Sequence, residues 1–134
     1  MNPDTTWDWS TGDLAAGLEC YRRGQFFEAH EHWELVWLKC DEPDKTFLQS
    51  LIQVSAAFHH LGRGNPVGAR SMLTRALARL ERYPDRFGGV NLAELRQSLR
   101  TWLQALDEGV ARPDYPRMVG AQETIAARDH LTEN

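Results

Sequence analysis

An all-α fold, a compact bundle of about five helices joined mostly as antiparallel hairpins, is the architecture this sequence predicts. Three observations carry it. Apolar residues recur at steps of three and four through five stretches; Ala, Leu, Arg and Glu dominate those stretches; and Gly, Pro and Asn punctuate the chain between them. No segment alternates apolar and polar residues as a half-buried strand does. The connections are short, which sets consecutive helices side by side and antiparallel.

Residues 1–9 read as an arm, with Trp7 and Trp9 expected to dock. Ser10 and Asp13 resemble a capping box that opens a helix carrying Leu14, Leu18 and Tyr21, ended by Gly24. In "FFEAHEHWELVW" (26–37) and just beyond, Phe26, His30, Trp33, Trp37 and Cys40 form one stripe, so His30 is expected on an apolar face. Glu31 and Glu34 flank that stripe, while Glu28 and His32 fall on a more exposed side. Pro43 is placed to open a third helix, and Phe47 to Leu61 is apolar nearly all round, hence central and buried. Gly62 and Gly64 stop it. Asn65 and Pro66 suit the start of a fourth helix with the stripe Ala69, Leu73, Ala76, Leu77 and Leu80. "RYPDRFGGVN" reads as a loop. Asn91 then caps a fifth helix that buries Leu92, Leu95, Leu99, Trp102 and Leu106. One domain is expected over 1–134, with a helical core over 10–107 and a polar tail over 108–134, including a short helix near 121–130.

The chain also echoes itself. At an offset of 40, Gly24 falls on Gly64, Ala29 on Ala69, Trp33 on Leu73, Trp37 on Leu77 and Cys40 on Leu80. Two helical hairpins of similar design explain this. The pattern resembles a tetratricopeptide-type hairpin, in which a small Ala lets paired helices approach. The longer period and the two copies argue against an extended solenoid.

The 134 residues suffice for one buried core, and 42% hydrophobic with 25% charged residues is a globular composition. A net charge of −4 with dispersed arginines argues against nucleic acid as a partner. No apolar run approaches the roughly 20 residues that span a bilayer, so no membrane partner is expected. "MNPDTTWDWS" has no secretory character, and Cys20 and Cys40 form no C-x-x-C pair, so reduced thiols and a cytoplasmic location are expected. The tryptophans near the N-terminus hint at a homo-oligomer.

The chemistry concentrates in two helices. A zincin requires His-Glu-x-x-His on one helix face; here the string from His30 ends on Glu34 instead of a second histidine. His30 and Glu34 can still share a divalent metal, zinc or manganese. Gln49, Gln53 and His60 form a polar row on the apolar third helix. If that row faces His30, then His30, Glu34 and His60 converge as ligands with an open position for water, Glu31 stands as general base, and Gln53 is an orienting or substrate-contacting group. The bland reading has His30 as a neutral core histidine bonded to Glu34 or Gln53, with Gln49 and Gln53 tying helices together. Glu28 then merely favours the positive end of its helix. His32 and His59 read as rim residues and His130 as part of the tail. Cys40 reads as a packed thiol, and Ser55 has no base beside it.

Together, "RRGQFFEAHEHWELVW", "FLQSLIQVSAAFHHLGRGNPVGA" and "RALARLERYP" resemble a small prokaryotic family known as domain of unknown function 309, over about residues 14 to 106. The resemblance implies a compact all-helical protein of the kind sometimes labelled a metal-dependent hydrolase. It matches the family pattern at Glu28, His30, Glu31, Glu34, Gln53, His60, Gly64 and Asn65, and leaves His32 and His59 outside it. Three functions are compatible with these residues. One is a hydrolase with a mononuclear metal site. Another is a non-enzymatic helical interaction module whose polar cluster is structural. The third is a small-molecule sensor.

Overall fold

The computed structural model describes residues 7–119. Among them are α1 (Gly12–Arg22), α2 (Phe26–Trp37), α3 (Asp44–Gly62), α4 (Pro66–Leu80) and α5 (Leu92–Glu108), with a two-residue antiparallel ladder between β1 (Arg86–Phe87) and β2 (Val90–Asn91). The five-helix, all-α expectation holds. The proposed helix near 121–130 and His130 lie outside the described residues.

α1 pairs with α2 and α3 with α4; α3 also packs on α2, and α4 on α5. α3 is the hub because its sequence is apolar on most sides. Phe47, Leu48, Leu51, Val54 and Ala57 are fully buried on it, and Phe58 and Leu61 nearly so. Each such Leu, Val or Phe stabilises the fold by about 1.5–3 kcal/mol.

The internal echo is a structural repeat. Gly24 and Gly64 both take φ of 78°, a left-handed conformation that glycine adopts without steric cost. The hydrogen bonds of the two turns correspond: Gln25 N donates to Cys20 O at 2.8 Å, and Asn65 N to His60 O at 2.9 Å. Such backbone bonds satisfy carbonyls that a helix end leaves open.

Two expectations need correction. The Ser10–Asp13 capping box does not form: α1 has Thr11 at its N-cap with no side-chain bond. Ser10 instead donates its backbone N–H and its hydroxyl to Asp8, which holds that carboxyl below its ordinary range. The stretch 82–91 is more than a loop. Gly88 and Gly89 take φ of 61° and 83°, the left-handed pair that closes a two-residue hairpin. A ladder of two residues per strand is too short to leave an alternation in sequence. Trp7 and Trp9 dock as expected. Trp7 meets the Phe47 ring edge-on at 4.8 Å, Trp9 meets Trp33 at 6.1 Å, and Trp9 Nε1 donates to Gly88 O at 2.8 Å.

Candidate metal centre on α2

α2 buries Phe26, Ala29 and Trp33, with Val36 and Trp37 partly covered. The covered stripe is therefore centred on Ala29 and Trp33, and His30 sits at its shoulder with a side chain 27% exposed. The rotation has a visible cause. Trp33 Nε1 donates to Leu14 O of α1 at 3.2 Å, and the indole lies so close to Gly17 that a Cβ there would stand 2.3 Å from Nε1. Docking of that indole fixes which side of α2 faces inward.

One turn of α2 then collects the chemistry. A ring nitrogen of His30 and a carboxylate oxygen each from Glu31 and Glu34 lie within 4.8 Å of one another. His30 Nδ1 is buried without a hydrogen-bond partner, 3.9 Å from Oε2 of Glu31. Glu31 and Glu34 are exposed on the outer side. One imidazole and two carboxylates suit zinc or manganese. Glu31, expected as a base, thus stands among the potential ligands.

The remaining sequence-predicted residues go elsewhere. His60 does not join the group; its Nδ1 lies 3.4 Å from Nδ2 of Asn65, at the α3–α4 turn. Gln53 accepts from Arg79 Nη1 of α4 at 2.8 Å. At these two positions the polar row turns toward α4 and its turn. Gln49 is half-buried on α3. Asn65 caps α4 as expected, accepting from Gly68 N at 3.0 Å. Glu28 is exposed in the first turn of α2, and its carboxylate adds to burial in pushing the Cys20 thiol up. His59 is the α3 histidine that reaches α2: its ring is 5.3 Å from Phe27, which in turn lies 6.1 Å from the His30 ring.

His32, read as a rim residue, holds Nδ1 2.9 Å from Asp13 Oδ1 and so ties α2 to α1. Nothing local in the sequence signals that pair, because its members come from different helices. A cavity of about 490 Å³ lies away from this group, between α5 and residues 113–117, lined by Gln97, Ser98, Thr101 and Tyr115 among others.

Residues 14–72 match the family described as "Domain of unknown function (DUF309)". That match covers a little less than half of the chain. The DUF309 segment takes in most of α1, all of α2 and α3 and the first half of α4, so every candidate residue named above falls within it. It ends well short of residue 106, where the resemblance read from the sequence ended. A protein of Aquifex aeolicus (strain VF5), described as uncharacterized, is 34% identical over 90 residues, which is 66% of this chain and 27% of that protein. The chain thus corresponds to about a quarter of that relative. No helix among the described residues is long and apolar enough to cross a membrane.

Proposed function

We propose that this protein is a divalent-cation-binding helical module whose ligands are His30, Glu31 and Glu34. The observation that carries the reading is their convergence within 4.8 Å on one turn of α2, beside an imidazole nitrogen that has no other partner. A buried polar atom without a partner calls for an explanation, and beside two carboxylates a bound cation supplies one. The alternative of a mononuclear hydrolase assigned His60 as a ligand and kept Glu31 free as base. With His60 turned to Asn65 and Glu31 among the ligands, a binding role fits the geometry better.

Calorimetric titration of the chelator-treated protein with zinc or manganese tests this. Stoichiometric binding is expected, weakened at least about tenfold by Glu34→Gln or His30→Ala, a loss of roughly 1.4 kcal/mol or more. His60→Ala is expected to leave affinity unchanged. No binding, or binding that depends on His60 and ignores Glu31→Gln, would overturn the assignment.

A further inference from the structure

The outer face of α2 carries a second message in its order. Phe27, Glu31, Glu34 and Leu38 are all exposed and follow at steps of four, three and four, which is one stripe along a helix. Phe27 and Leu38 are 49% and 64% exposed, unusual for large apolar side chains, and Leu35 beside them is 50% exposed. Leu38 is the C-cap residue, with right-handed helical backbone, so the stripe remains continuous to its end. The order is a palindrome: apolar, acidic, acidic, apolar. The midpoint between Phe27 and Leu38 is also the midpoint between Glu31 and Glu34.

A two-fold symmetric interface requires that self-complementarity, because each position must face its mirror position on an identical copy. Two α2 helices packed antiparallel about this midpoint would set Phe27 of one copy on Leu38 of the other, at both ends. The same operation sets Glu31 against Glu34 of the other copy, twice. Four carboxylates then meet at the axis, and like charges brought together out of water repel strongly. A cation removes the repulsion. One helix turn also supplies only three donors, whereas zinc takes four and manganese commonly six.

We propose that a second copy of this chain is the partner of α2, joined by an antiparallel, two-fold α2–α2 contact that forms when a divalent cation binds between the acidic pairs. The proposal rests on the cation-binding reading above. A single helix face with two apolar ends is a small interface, so the contact depends on the metal.

Sedimentation equilibrium of the full chain, with metal content measured on the same samples, tests it. In chelator the mass should be the 15.3 kDa of one chain, and with zinc or manganese it should double. Leu38→Asp, an exposed substitution that sets a charge against the partner's Phe27, should keep the zinc-loaded protein monomeric. Glu31→Gln with Glu34→Gln should abolish the metal-induced doubling. Metal bound with the mass unchanged would overturn the dimer and leave the cation site standing; no metal bound and no doubling would remove both. A dimer that survives Leu38→Asp would overturn the α2 contact, and a doubling unaffected by the glutamine pair would overturn the cation bridge.

Discussion

The two hairpins share a turn and differ in how they use the space around it. In the first, Gly17 and Trp33 face each other; at the corresponding places the second has Ala57 and Leu73, both fully buried. A large ring against no side chain has been exchanged for a smaller side chain against a methyl. The outer faces differ as well. Arg70, the counterpart of His30, is clamped to α5 through Asp107, with Nε–Oδ1 and Nη2–Oδ2 at 2.5 and 3.0 Å. His30 Nδ1 has no such partner. The same supersecondary unit thus carries an exposed ion pair to α5 at this position in one copy and a buried ring nitrogen without a hydrogen-bond partner in the other.

The largest test concerns the exchange in the core. Gly17→Ala should destabilise by about 1–3 kcal/mol, because the added methyl overlaps the Trp33 indole. Adding Trp33→Leu, which recreates the second hairpin's pairing, should recover a substantial part of that loss. A double-mutant cycle by chemical denaturation measures the coupling, and strict additivity would mean that the two pairings are not equivalent.

A smaller difference separates the helix starts. The Asn65 side chain caps α4, whereas Gln25 makes no cap bond at the start of α2. Asn65→Ala should cost about 1 kcal/mol and Gln25→Ala close to nothing on the same denaturation scale. Equal losses would show that Asn65 acts through something other than its cap, such as its contact with His60.

The smallest effect is the pH dependence of the Arg70–Asp107 clamp. Hydrogen bonding to Arg70 lowers the Asp107 carboxyl below its ordinary range. A carboxyl lowered in the folded state contributes stability that is complete above its unfolded value and is lost as pH falls through the folded one. Melting temperatures of the parent and Asp107→Asn should therefore differ slightly near neutrality and converge in strong acid. A gap that persists in acid would assign the Asp107 effect to packing.

Much of this was written in local pattern. The Asn65 and Asn91 caps and most of the stripes of α1, α4 and α5 depend on residues a few places apart, the echo on equal spacing at an offset of 40, and these are present in the structure. The closeness of His30 and Glu34 was legible for the same reason, since they lie within one turn, but the sequence reading grouped them with His60 and set Glu31 apart as a base. What depended on the rotation of one helix against another was not. His60 and Gln53 lie on the expected helix, yet their direction is set by Asn65 and Arg79, which helical spacing alone does not reveal. The stripe of α2 was misplaced by part of a turn because the indole of Trp33 seats against a glycine 16 positions earlier.

The segment after α5 has a consequence for what counts as a unit. Tyr21 donates its hydroxyl to Pro116 O at 2.7 Å, and Trp102 donates its indole N–H to Asp114 O at 2.9 Å. Tyr115 lies parallel to Trp102 and edge-on to Phe26 and Phe58, and Met118 is buried. The family match ends at residue 72, while the polypeptide that packs against Phe26 and Phe58 reaches residue 115. The end of the family match and the end of the packed unit are therefore different lines, and an excised piece chosen by the first would expose aromatic surface that the second covers.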